Sequence, residues 1–97
     1  MMGNIQAMLW LCVRATKLQE EGKATMGHLA LCKSWCSRQG REVVSLAREL
    51  LGGNGLLLEN KVMKSFLDME VMYTYEGSYD INQLIAGREL TGLSAFK

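Results

Sequence analysis

The chain has 97 residues, 48% of them hydrophobic, with seven methionines, no proline and a net charge of +1 from 11 basic and 10 acidic side chains. That length allows one small domain with a modest core, and the lack of proline and scarcity of aromatics favour helix over sheet. The balanced, scattered charge provides no field that would draw nucleic acid or an anionic membrane.

The first predicted helix covers about Asn4 to Glu21. Ile5, Met8, Leu9, Cys12 and Thr16 recur at spacings of three and four, which marks one face. Its apolar run from Ala7 to Val13 is too short to cross a bilayer, and no charged leader or cleavage site accompanies it. Nothing caps its start, as expected of the tail of a longer helix. Gly22 ends it. Thr25 is a natural N-cap for a second, long helix from about Met26 to Leu51. Leu29, Cys32, Cys36, Val43, Ala47 and Leu50 form its predicted buried stripe, with Lys33, Ser37, Arg41 and Arg48 mostly on other faces. Gly52-Gly53-Asn54-Gly55 then breaks the helix.

The third helix is predicted over about Glu59 to Met72, with Val62, Met63, Phe66, Leu67 and Met69 inward. Tyr75-Glu76-Gly77-Ser78 is a turn. The last helix is predicted over about Tyr79 to Leu93, with Ile81, Leu84, Ile85 and Arg88 on one side. Gly87 and Gly92 within it suggest close approach of a helix or a ligand. There is no internal repeat, linker or low-complexity segment. The expected fold is all-α, an up-and-down helical bundle or most of one.

Three places could carry chemistry. Glu76 precedes a glycine and a helix that Ser78 can cap. A carboxylate there can project into a cavity alongside backbone N–H groups. That combination suits removal of a proton from carbon next to a carbonyl: the carboxylate takes the proton and the N–H groups hold the oxygen that gains charge. Burial by substrate would raise the carboxyl pKa towards the working range. The plain alternative is a surface glutamate favoured by the positive end of a helix. The Leu51-Gly52-Gly53-Asn54-Gly55 turn would let a phosphate or flat ring approach the backbone. It lacks the lysine and hydroxyl of a P-loop and follows a helix, so a simple C-cap is the other reading.

The third is His28, Cys32 and Cys36, which fall at i, i+4 and i+8. At about 1.5 Å per residue, His28 and Cys36 lie roughly 12 Å apart. One ion with bonds of about 2.0 to 2.3 Å does not reach all three, so no metal site is expected. Three cysteines in a short chain argue against a disulfide framework and for a reducing compartment. Trp10 and Trp35 are expected in packing or interfaces.

Read together, three motifs carry a resemblance. They are Arg48-Glu49-Leu50-Leu51-Gly52-Gly53-Asn54-Gly55, then Thr74-Tyr75-Glu76-Gly77-Ser78-Tyr79-Asp80-Ile81, then Gly87-Arg88-Glu89-Leu90-Thr91-Gly92. In this order and spacing the chain resembles the acyl-CoA dehydrogenase and oxidase family, with glutaryl-CoA dehydrogenases and plant-type peroxisomal short-chain acyl-CoA oxidases as the nearest branch. Met2-Gly3-Asn4-Ile5-Gln6-Ala7-Met8 looks like the start of that family's C-terminal helical domain, so the resemblance covers residues 1–97.

The resemblance implies roles. Glu76 matches the base that takes the pro-R α-proton of a short-chain or glutaryl-type acyl-CoA as a β-hydride passes to FAD. Its backbone N–H, with a ribityl hydroxyl of the flavin, would hold the thioester carbonyl. Gly77 matches a residue lining the acyl-CoA site, and Ser78, Tyr79 and Asp80 match positions that contact FAD. Glu49, Leu50, Leu51, Gly52 and Gly53 match a stretch touching the FAD of a neighbouring subunit, although Glu49 stands where glutamine or aspartate is usual. Phe96 matches a cofactor-side aromatic. The family implies a homotetramer, electron-transfer flavoprotein or O2 as electron acceptor, and the mitochondrial matrix or the peroxisome. Ala95-Phe96-Lys97 is not a peroxisomal tripeptide. The family's N-terminal helical domain and middle β-barrel are not within these 97 residues, so the chain alone is expected to be inactive. The alternative is a helical assembly module without catalysis.

Overall fold

The computed structural model describes residues 1–95. Four α-helices follow one another: α1 (Met2–Glu20), α2 (Met26–Leu50), α3 (Val62–Thr74) and α4 (Tyr79–Thr91), with two short 3-10 turns, Gly52–Leu56 and Leu58–Asn60, between α2 and α3. The all-helical reading therefore holds; the starts of α2 and α4 fall where expected, and the other helix boundaries shift by one to three residues.

Local chemistry accounts for the boundaries. At Gly22 the chain turns with φ 72°, and the N–H groups of Lys23 and Ala24 both return to the Leu18 carbonyl at 2.9 and 3.1 Å. These bonds satisfy the Leu18 carbonyl, while those of Lys17 and Gln19 accept from the Glu21 and Gly22 N–H groups. The expected cap of α2 is present, and it is reciprocal. Thr25 Oγ1 accepts from the His28 N–H at 3.2 Å, and His28 Nδ1 accepts from the Thr25 N–H at 3.1 Å. Histidine here takes the role that glutamate or glutamine usually fills in a capping box. Beyond α2, the buried Gly55 packs against the Arg48 carbonyl oxygen, where any side chain would collide with backbone.

Helix α2 is the axis of the molecule. On one side α1 lies antiparallel to it, with Asn4 meeting Gln39 and Cys12 meeting Cys32 and Cys36. On the other side α3 and α4 run in succession, also antiparallel to α2. Met69 reaches Gly40, Glu70 pairs with Arg41, Tyr79 with Arg38 and Gln83 with Ser34, and Glu89 reaches Gly27. The helices thus form three parallel rods, the third broken in its middle. The dimensions, 47 × 28 × 17 Å, are those of a slab, and the radius of gyration of 15.7 Å exceeds the roughly 13 Å of a compact chain of this size.

The slab corrects the predicted stripes. In α1 the shielded residues are Asn4, Met8, Leu11, Ala15 and Leu18, while Ile5, Leu9, Cys12 and Thr16 are exposed. In α2 the buried set is Gly27, Ala30, Ser34 and Ser37; Leu29 and Leu50 are exposed, and Cys32 and Cys36 are only half-buried. In α4 it is Asn82 and Ala86, with Ile81, Leu84 and Arg88 outside. Only in α3 does the predicted face hold, apart from the exposed Leu67. The reason is that small residues set where helix axes come closest. Many large apolar residues are left exposed, because three rods side by side do not close over them. Of the close approach of a helix or a ligand expected at Gly87 and Gly92, no helix supplies it. Gly87 faces open space and Gly92, at φ 77°, is the C-cap of α4.

Candidate functional site

The break between α3 and α4 is built from two consecutive residues in the left-handed region, Glu76 at φ 54° and Gly77 at φ 89°. Glycine adopts this backbone freely; glutamate does not, and such a residue persists only where its surroundings hold it. Two side chains do so. Lys33 of α2 extends its Nζ to donate to the carbonyls of Tyr75 at 2.9 Å and Gly77 at 2.7 Å. Asn82, buried in the first turns of α4, donates from Nδ2 to the carbonyls of Gly77 at 2.7 Å and Ser78 at 3.1 Å. Glu76 itself is exposed at the crest of the turn.

Aromatic and cationic side chains brace the break on both flanks. Tyr73 and Tyr79 stack across it, with ring centroids 5.2 Å apart and planes inclined by 11°. The Arg41 guanidinium lies 4.1 Å from the Tyr73 ring centre and also binds Glu70 at 2.9 Å. Arg38 donates to the Tyr79 hydroxyl at 2.9 Å, and this partner holds the guanidinium pKa above its usual value. Of these bracing residues, periodicity places Lys33 and Arg41 on a polar face of α2 and gives no signal for Arg38 or Asn82.

Ser78 caps α4 as expected, with Oγ accepting from the Ile81 N–H at 3.4 Å, and Asp80 stands exposed in the first turn. Tyr79 points back towards α2, engaged by Arg38 and Tyr73. The glycine turn is a separate place. From Lys33 to Leu50, α2 extends roughly 25 Å. Glu49, Leu50, Leu51, Gly52 and Gly53 all lie exposed at that far end, and the space beside Gly52 and Gly53 is open. The structure brings Glu76, Gly77, Ser78, Tyr79 and Asp80 together and leaves these five apart from them. Phe96 lies outside the described residues.

A further cluster unites Cys12 of α1 with Cys32 and Cys36 of α2. Cys12 Sγ stands 3.9 Å from Cys32 Sγ and 3.8 Å from Cys36 Sγ, and all three sulfurs lie within 4.8 Å of one another. All three are free thiols. Burial above all, then the hydrogen bond with Cys12 and the neighbouring thiols, pushes Cys36 up to about 12; burial and then Cys12 also raise Cys32. His28 is not part of the group, since its Nδ1 is committed to the cap of α2. Spacing along α2 sets Cys32 and Cys36 beside His28, whereas in space their neighbour is Cys12. The missed signal was symmetry: Cys12 and Cys32 stand ten residues on either side of Gly22, so an antiparallel hairpin turning there must bring them level.

Among the described residues, no helix is long and apolar enough to cross a membrane. The three-rod architecture has a close match among solved structures. Glutaryl-CoA dehydrogenase from Mycobacterium smegmatis superposes with a TM-score of 0.87 at 30% sequence identity, over 92% of this chain and 23% of that one. The present chain therefore corresponds to less than a quarter of that protein. A family model described as acyl-CoA dehydrogenase, C-terminal domain, matches residues 1–91. The helical order, the interrupted third rod and a match along nearly the whole sequence lead to one assignment: the chain belongs to the acyl-CoA dehydrogenase family, as its C-terminal helical domain.

Proposed function

We propose that this chain is the helical part of a flavin-dependent acyl-CoA dehydrogenase or oxidase, and that Glu76 is the base that removes the substrate's α-proton. The observation that carries this is the left-handed glutamate at the break, exposed and pinned from two sides by Lys33 and Asn82. A strained, non-glycine residue held rigidly and projecting outward suits a carboxylate that must meet a C–H bond in one orientation. Covering it with substrate removes water and raises its affinity for the proton. The Glu76 N–H at the same turn would hold the thioester oxygen as charge builds on it.

The residues present fit one edge of FAD. Gly52 and Gly53 offer exposed backbone with open space beside it, where a flat ring or phosphate can approach. Ser78 and Asp80 begin α4, whose positive end suits an anionic group. When bound, FAD would supply the acceptor for the β-hydride. In this reading Gly77 lines the acyl-CoA site and Ser78, Tyr79 and Asp80 face the cofactor. Glu49 to Gly53 serve the cofactor of a second copy, which the separation of the two turns along α2 favours. A slab exposes too little concave surface to enclose substrate and cofactor, so the other walls belong to polypeptide beyond these 97 residues. The uncovered apolar faces, with Trp10 62% and Leu90 87% exposed, suit burial against those domains and in a homotetramer. The reaction belongs to the mitochondrial matrix or the peroxisome, with electron-transfer flavoprotein or O2 reoxidising the flavin.

The test joins this chain to the flavin-binding parts of its protein and compares Glu76→Gln with the parent. Flavin binding should persist while turnover of a short-chain acyl-CoA falls by at least about 10²–10⁴-fold. Undiminished turnover would remove Glu76 from the role. Absence of flavin in the joined parent would favour an assembly module.

A further inference from the structure

We propose that Cys12, Cys32 and Cys36 form a binding site for one thiophilic d10 metal ion of the zinc(II) type. A tetrahedral ion with metal–sulfur bonds of about 2.3 Å separates its sulfur ligands by about 3.8 Å. The sulfur of Cys12 stands 3.8 and 3.9 Å from those of Cys36 and Cys32, and the third pair is within 4.8 Å. The triangle is thus close to the size that one ion requires before any ion enters. All three sulfurs are mutually near, where a pairwise contact would bring only two together.

The supporting geometry is not confined to one helix. Cys32 and Cys36 are one turn apart on α2, so helical spacing fixes their separation. Cys12 arrives from α1, whose register is set by the Gly22 turn and by the Asn4–Gln39 bond of 2.8 Å at the far end. A groove of about 390 Å³ opens beside Cys12 and Cys32, walled also by Thr16, Gln19, Glu20 and Lys33. It provides the way in to two of the three thiols, and three protein ligands leave a fourth position for water.

Binding exchanges three S–H protons, released to solvent, for three sulfur–metal bonds. A divalent ion with three thiolates carries a net charge of −1, and with the groove open to solvent that charge is screened by water. No electron is transferred. The consequence is a clip between α1 and α2.

The test uses the full chain, kept reduced with a phosphine and titrated with zinc chloride against a chromophoric chelator. The expected result is uptake of one zinc per chain, with all three thiols shielded from alkylation. Replacing one ligand in Cys12→Ser should weaken binding by more than about 100-fold, beyond the loss typical of an outer-shell partner. His28→Ala should leave it unchanged. Circular dichroism establishes that each variant remains helical, and the alkylation readout on the parent needs no variant. Lack of uptake, uptake that survives Cys12→Ser in a folded chain, or thiols that stay reactive in the presence of zinc would each overturn the site. So would a chain that takes up no zinc when reduced and instead forms a disulfide on exposure to peroxide.

Discussion

The two sides of α2 hold their neighbours by different means. Towards α4 the seam is made of Gly27, Ala30, Ser34 and Ser37 against Asn82 and Ala86. The axes come close, and every polar group is used. The fully buried Ser34 hydroxyl donates to the Leu31 carbonyl at 3.1 Å and accepts from Gln83 Nε2 at 2.8 Å. Towards α1 the contacts are sulfurs 3.8–3.9 Å apart, one amide pair, and a groove. The tight side carries the turn with the strained glutamate; the loose side carries the thiols. The role proposed for Glu76 needs fixed geometry, and a seam of small residues with satisfied hydrogen bonds provides it. A site that admits an ion needs an opening.

The same change made on both sides should break the symmetry most clearly. Ala30→Leu forces bulk into the closed seam and should cost about 1–3 kcal/mol. Ala15→Leu has the groove beside it and should cost well under half as much. Equal losses of stability in urea would show that the two seams do not differ. The next effect is Asn82→Ala, which removes two hydrogen bonds at about 1 kcal/mol each. In the assembled protein this variant should lower turnover more than it lowers substrate affinity, because the turn is no longer held; unchanged turnover would detach Asn82 from the site. The smallest is Lys64→Ala. Its exposed pair with Asp68 at 2.7 Å lies outside both seams and should shift stability by less than about 0.5 kcal/mol. A larger shift would mean that α3 contributes more than its packing suggests.

Much of this was readable in the sequence, and the failures share one cause. Thr25, Ser78, Gly22 and the glycine turn after Leu50 mark helix ends through local hydrogen bonding and backbone freedom, which neighbouring residues decide. The buried faces are decided by packing between rods. There, periodicity singled out Leu29, Leu50 and Ile81, which are exposed, and passed over Ser34 and Asn82, which are buried. Hydrophobic size predicts what seeks cover; it does not say whether a slab or a closed bundle will provide it. The motif around Glu76 was legible because its spacing resembles a family pattern, yet Lys33 and Asn82, which hold it, were not, since each acts through backbone carbonyls that no motif records. The cysteine cluster needed the register of a hairpin, a relation between helices.

The interrupted third rod has a consequence for how the protein can vary. Apart from the Tyr73–Tyr79 stack, α3 and α4 share little contact, and each is tied to α2 on its own account. The carboxylate is therefore surveyed from a fixed benchmark, the stretch of α2 around Lys33, instead of being placed by summing the lengths of everything before it. Insertions or deletions between Leu51 and Lys61 would be absorbed along the way and would not displace Glu76. The end of the slab at the glycine turn is free to diverge while the turn around Glu76 keeps its coordinates.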